Sequence, residues 1–271
     1  MFMQTHDNAG WAKAIDKTYP GNIHALQNIS LEIPFGQITT LIGSNGSGKT
    51  TLLRILAGVL KQDAGTIEVL AQNPWDQTKS LRTSIGYIPQ QKALDPEMTG
   101  EETLHLFATL YDQPKTRIKE LANQFGLTDC LSRRISTYSE GLRQRIHLAL
   151  GIIHKPKTLF LDEPTTGLDP QGSDFVWRLL NSYAGQGHAI LLVTHNLDNA
   201  ARYSTRIALL HKGKLLMCMS PRAIVSKHGS PPYQKECPDL SSAYFNLTGC
   251  ELADRKRLTS ERQRSKVEDG I

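Results

Sequence analysis

A chain of 271 residues, 39% of them hydrophobic, can bury one sizeable core or a core with a small lobe, which excludes a peptide-sized scaffold. Its 31 Lys and Arg against 26 Asp and Glu leave a formal charge of +5 spread along the whole length, so charge gives no argument for nucleic-acid binding. The apolar runs at residues 148–153 and 189–193 fall short of the roughly 20 residues a spanning helix needs, and MFMQTHDNAGWAK lacks the pattern of a secretory signal. A chain in the reducing cytoplasm, without its own membrane span, is expected. Cys130, Cys218, Cys237 and Cys250 show no CxxC spacing and read as ordinary reduced residues.

In chain order, residues 23–33 and 37–42 read as strands around Pro34-Phe35-Gly36, a predicted hairpin. The second strand runs into a glycine-rich loop and then TTLLRILAG, where Leu52, Leu53 and Leu56 share one helical face until Gly58. Residues 65–70 and 84–88 read as a further strand pair, giving an antiparallel portion, and residues 98–125 carry helical spacing with interspersed charge. From Tyr138 onward Leu142, Ile146, Ala149, Leu150 and Ile153 recur at three- and four-residue steps, and Pro156 ends that helix. Short apolar runs at 158–161 and 189–194 flank an amphipathic stretch at 175–183, the rhythm of a parallel sheet. Residues 207–210 and 214–217, joined through His211-Lys212-Gly213, read as a closing hairpin. The globular part is expected to end near Gly249, and residues 251–271 read as a charged tail, disordered or frayed.

The loop Gly43-Ser44-Asn45-Gly46-Ser47-Gly48-Lys49-Thr50 fits GxxxxGK(S/T) and stands between a predicted strand and a predicted helix, the context that motif requires. Its glycines let backbone N–H groups turn around phosphate oxygens. The helix N-terminus adds a positive dipole end, Lys49 a cation, and the Thr50 hydroxyl a ligand for Mg²⁺; Thr51 follows in the same turn. A phosphate cradle also needs a carboxylate for the metal and a group that activates water. The strand at 158–161 delivers Asp162-Glu163 at its C-terminal end, the edge where open α/β sheets bind ligands. Asp162 would hold Mg²⁺ and Glu163 would act as general base. Alone, two such carboxylates are as consistent with a solvated helix start.

Taken together, these residues resemble the ATP-binding-cassette (ABC) ATPases over roughly residues 13 to 249. Tyr138-Ser139-Glu140-Gly141-Leu142-Arg143-Gln144-Arg145 is similar to the family's signature sequence, Ile88-Pro89-Gln90 to its Q-loop, Thr166-Gly167-Leu168-Asp169-Pro170 to its D-loop and Thr194-His195 to its switch histidine. Tyr19 takes the position of the aromatic that stacks on adenine. The resemblance implies an α/β fold: a P-loop NTPase core with a mixed parallel sheet and helices, an antiparallel β subdomain and a helical subdomain at about 91–154. A single domain would span residues 1–250. It further implies ATP sandwiched between the phosphate loop of one copy and the signature helix of another, so that Ser139 and Gly141 complete the partner's site. His195 would sense the γ-phosphate, Gln90 would touch Mg²⁺ or water, and Asp169 would lie at the dimer seam. The physics of the signature segment stands apart from the name, since a Ser-capped helix start is an anion-binding end.

The family's LSGGQ appears here as Tyr138-Ser139-Glu140-Gly141-Leu142, with Glu140 in place of a glycine and Leu142 in place of an amide. A Tyr-Ser opening and the ending at 238–249 resemble the branch that powers drug, polysaccharide, heme or metal-related export. The implied function is the Mg²⁺-dependent ATPase subunit of a transporter, a homodimer on ATP binding. It would be peripheral on the cytoplasmic face of the plasma (inner) membrane, docked on a separate transmembrane permease, with no nucleic-acid partner. The alternative is a soluble ABC ATPase acting on ribosomes, DNA or chromosomes. Against it stand the single cassette, the lack of sustained heptads and the lack of paired CxxC motifs.

Overall fold

The computed structural model describes residues 7–76, 78–228 and 239–249. Its elements are β1 (Asn8–Tyr19), β2 (Ile23–Pro34), β3 (Ile38–Ile42), α1 (Lys49–Leu56), β4 (Ala64–Val69), α2 (Lys79–Arg82), β5 (Ile85–Ile88), α3 (Gly100–Leu110), α4 (Lys115–Gln124), α5 (Glu140–Ile152), β6 (Thr158–Asp162), α6 (Pro170–Gly185), β7 (Ala189–Val193), α7 (Leu197–Tyr203), β8 (Arg206–His211), β9 (Lys214–Met219), α8 (Pro221–His228) and α9 (Leu240–Thr248). A six-stranded sheet in the order β5-β6-β7-β3-β8-β9 is parallel except for β9. A three-stranded antiparallel sheet has the order β2-β1-β4.

Strands β3, β6 and β7 are buried at every position, as strands covered on both faces must be. Alternate residues serve different layers. Leu41, Phe160, Leu191 and Val193 pack with α1 and the antiparallel sheet, whereas Ile38, Leu159, Leu161, Ile190 and Leu192 pack with the side chains of α3–α6. A third apolar cluster joins Ile42, Ile207 and Leu209 to α7, α8 and α9.

The hairpin predicted at Pro34-Phe35-Gly36 does not form. Strand β2 alternates in burial and pairs with β1, while β3 crosses into the other sheet between β7 and β8. The two neighbours in sequence separate: β3, buried at every position, lies inside the parallel sheet, while β2, buried on one face, edges the antiparallel one. The pair predicted from 65–70 and 84–88 also divides, because β4 pairs antiparallel with β1 and β5 pairs parallel with β6. The helical stretch at 98–125 is two helices. Pro114 N-caps α4, and a proline disfavours helical backbone in the residue before it, so α3 stops at Leu110. The closing hairpin is β8 and β9, and α9 ends at a left-handed Gly249 cap. Cys130 and Cys218 are free thiols; Cys237, Cys250 and the tail at 251–271 lie outside the described residues.

Helix α5 buries His147, whose Nδ1 has no hydrogen-bond partner among the described residues. Burial, with the Lys92 charge in support, pushes its pKa from 6.5 down to about 4. Between those values the unfolded chain binds the proton and the folded chain does not, so the stability present above pH 6.5 is lost as pH falls toward 4. The full gap is about 3 kcal/mol. Melting temperatures followed from about pH 7 to about pH 4.5 are expected to fall less steeply for His147→Leu than for the parent chain. The residual slope includes His154, which burial shifts in the same direction. Parallel curves would exclude His147 as a source of the acid sensitivity.

Candidate active site

The phosphate loop leaves the C-terminal end of β3 and returns into α1. Gly43 and Gly48 have φ of 158° and 104°. A side chain on Gly43 would run into the Leu210 carbonyl, and one on Gly48 into the Ala25 carbonyl, so the loop can turn this tightly only with hydrogen at both positions. Lys49 is buried and donates to the carbonyls of Gly43 (2.8 Å) and Ser44 (3.0 Å). Burial lowers its pKa from the ordinary lysine value, against the opposing pull of Glu163 and then Asp162. The buried Ser47 Oγ has no partner in the described structure. A pocket with a half-compensated cation at the N-terminal end of α1 is suited to a phosphate chain.

Across the loop, Thr50 Oγ1 donates to Asp162 Oδ1 at 3.1 Å. Burial raises the Asp162 pKa, partly opposed by that hydrogen bond and supported by the neighbouring Glu163 charge. A hard divalent cation would reverse this balance. Thr50, Asp162 and the amide of Gln90, which lines the same cleft, form an oxygen donor set of the kind Mg²⁺ accepts when it keeps most of its waters.

Glu163 follows β6 in a left-handed conformation, φ 53°, uncommon for a non-glycine residue and typical of positions fixed by function. Its N–H donates to the Val193 carbonyl (3.0 Å), which fixes the turn against β7. Its side chain, only 10% exposed, meets His195 with Oε1 2.9 Å from Nδ1, and accepts from Thr166 Oγ1 at 3.4 Å. The carboxylate is therefore held by a histidine from the next strand end and stays open toward the loop.

A cleft of about 580 Å³ gathers Tyr19, Gly43, Ser44, Asn45, Gly46, Ser47, Gly48, Lys49, Thr50, Thr51, Gln90, Glu163 and His195. Asp162 reaches it through Thr50. The Tyr19 hydroxyl lies 3.3 Å from Thr51 Oγ1, anchoring the ring end of the cleft to α1. Ile23, His24, Ala25 and Val193 line it as well; no motif in the sequence marks them, because they enter only through the start of β2 and the end of β7. A larger groove, about 780 Å³, lies between α3 and α4 and contains none of the phosphate-loop residues.

Ser139, Gly141 and Asp169 are not part of the cleft. Ser139 caps α5, its Oγ accepting from the Leu142 N–H at 3.3 Å, and Asp169 caps α6, its Oδ1 accepting from the Gly172 N–H at 2.7 Å. Gly141 faces the Leu168 side chain. Glu140 is ion-paired to Lys92, two residues past Gln90, and to Arg143 at 3.3 Å, and its side chain lies against Gly167. Lys92 first, then Arg143, keeps the Glu140 carboxyl below the usual glutamate range. The charged replacement in the signature segment thus ties that helix to the chain beyond Gln90.

A mostly parallel sheet whose central strand opens into a phosphate loop, with a carboxylate pair at the end of the strand two places away and a separate antiparallel sheet and helical lobe, defines a P-loop nucleotide hydrolase of two-lobed build. Residues 26–166 match the family model described as ABC transporter, and the chain belongs to that family. It is 37% identical over 263 residues to the daunorubicin resistance ATP-binding protein DrrA3 of Streptomyces coeruleorubidus, covering 94% of this chain and 83% of that one. Among solved structures, an ATP binding subunit of an ABC transporter superposes with TM-score 0.78 at 26% identity, over 89% of this chain and 99% of that one. A dimeric post-hydrolysis ATP-binding cassette bound to ADP and Pi gives 0.71 at 26%, over 78% and 98%.

Proposed function

We propose that this chain powers the export of drug-type amphipathic compounds, acting as a pair of copies on the cytoplasmic face of a membrane and docked on a separate permease. It is the ATP-binding and ATP-hydrolysing subunit of an ABC transporter. The observation that carries the paired arrangement is the division of the motifs. The phosphate loop, Gln90, Glu163 and His195 share one cleft, whereas Ser139 and Gly141 open onto a helix start elsewhere. An anion-binding helix end with no phosphate loop beside it supports completion by a second copy. The dimeric cassette with ADP and Pi supports the same assembly. No helix among the described residues is long and apolar enough to cross a membrane, which fits a path supplied by a separate permease. The identity to a drug resistance protein over nearly the whole chain supports export and the substrate class. Residues 1–250 would act as one ATPase domain with its helical subdomain at about 91–154, and 251–271 as a charged appendage.

In this site the glycine-rich loop and Lys49 bind the phosphates, and the Tyr19 ring covers the base. Mg²⁺ held by Thr50, Asp162 and Gln90 would neutralise charge on the β- and γ-phosphate oxygens. Glu163 takes a proton from the attacking water as its oxygen bonds to the γ-phosphorus and the bond to the β–γ bridging oxygen breaks. His195 keeps the carboxylate aimed. Ser139, the backbone at Gly141 and the Asp169 turn of the second copy close over the γ-phosphate.

The test is to solubilise native membranes in detergent, capture the tagged chain and assay ATP hydrolysis on the eluate. A polytopic membrane protein is expected to co-elute, with hydrolysis stimulated by an anthracycline. Recovery only with ribosomes or DNA-bound proteins would overturn the transport reading.

A further inference from the structure

Tyr244, on α9, is fully buried, yet its hydroxyl reaches the phosphate loop 200 residues away in sequence. The Ser44 N–H donates to it at 3.2 Å, and His211 Nδ1 lies 3.1 Å on its other side. His211 ends β8 and begins the turn on which the loop rests, where the Gly213 N–H donates to the Ser47 carbonyl at 3.1 Å. One hydroxyl therefore joins the phosphate loop to the turn beneath it. Ser44 is gripped at both of its polar backbone groups, the N–H by Tyr244 and the carbonyl by Lys49.

Apolar packing does not require that hydroxyl. Helix α9 docks through Leu240, Ala243 and the Tyr244 ring against Ile42, Ile207 and Leu209, and a phenylalanine would fill the same space. What the oxygen adds is a fixed partner for the N–H of the half-buried Ser44, holding that donor and the loop in one geometry at the rim of the cleft. We infer that Tyr244 is a positioning residue for nucleotide binding, which makes the C-terminal helix a brace of the phosphate loop. The inference rests on the loop being the ATP site. Since coupling between two sites is reciprocal, ATP binding must in turn tighten the docking of α9.

The experiment uses the full chain with ATP and Mg²⁺, comparing the parent, Tyr244→Phe and Phe245→Leu, an exposed position on the same helix. Tyr244→Phe is expected to raise the dissociation constant and KM for ATP about fivefold to tenfold, with kcat within about twofold and an almost unchanged melting temperature without nucleotide. Phe245→Leu is expected to leave KM unchanged. Amide exchange across 240–248 in the parent is expected to slow when ATP is added, and to slow less in Tyr244→Phe. Unaltered KM in Tyr244→Phe, a loss of melting temperature without a change in KM, or exchange in the parent that ignores ATP would each overturn the brace. A parent chain that binds no ATP would instead remove the phosphate-loop assignment beneath it.

Discussion

Glu163→Gln is expected to lower ATP turnover by at least about 100-fold while ATP affinity stays within a few-fold of the parent. The amide has the shape of the carboxylate, so it can keep the left-handed turn, the N–H bond to Val193 and the contact with His195. It cannot take the proton of the attacking water. Binding and chemistry should therefore come apart, and the ATP-bound pair of copies should accumulate. Phosphate release and calorimetric ATP titration measure the two halves, and size-exclusion chromatography with ATP–Mg²⁺ detects the dimer. Turnover within tenfold of the parent would assign the base elsewhere.

Lys49→Met is expected to weaken ATP binding by about 100-fold, the order of a lost charge-assisted hydrogen bond to phosphate, yet to melt within a few degrees of the parent without nucleotide. The second half follows from the cation's surroundings. Its burial is offset only in part by Glu163 and Asp162, as the lowered pKa records, so removing the charge relieves a desolvation penalty while the Gly43 and Ser44 carbonyls lose their donor. The two changes oppose each other in the empty site, and only the phosphate is left without its partner. Differential scanning fluorimetry beside ATP titration separates them. Collapse of the melting temperature together with binding would make Lys49 a structural residue first.

The residues of the cleft were largely legible in the sequence because they are local. The phosphate loop, the Asp162-Glu163 pair at a strand end and Thr194-His195 each sit within one turn whose neighbours announce strand or helix, and the fold brings all three to one cleft. Strand β1 was not legible. Its buried face is carried mostly by Ala9, Ala12 and Ile15, and a bulge with Ala14 at φ 52° breaks the two-residue period. The strand partners around Pro34 were misassigned for a related reason: apolar content identifies a strand without saying which sheet it joins. The Glu140–Lys92 tie and the Tyr244–Ser44 bond were invisible because both link residues far apart in sequence through single polar atoms. The separation of Ser139, Gly141 and Asp169 from the phosphate loop came with the family resemblance; no spacing in the chain encodes it.

The bond from Ser44 to Tyr244 also sets a timetable. During synthesis the phosphate loop emerges early, but its strand β3 must wait for β7 and β8 to flank it, and the Ser44 N–H must wait for a helix 200 residues later. At about 5–20 residues per second that is an interval of roughly 10–40 s. Until β7 and β8 emerge, the strand that carries the phosphate loop has unpaired edges open to wrong pairings, and the loop itself stays unbraced until α9 follows. The loop of the nascent chain therefore receives its last support late, and a truncation that removes α9 leaves the Ser44 N–H without the Tyr244 hydroxyl.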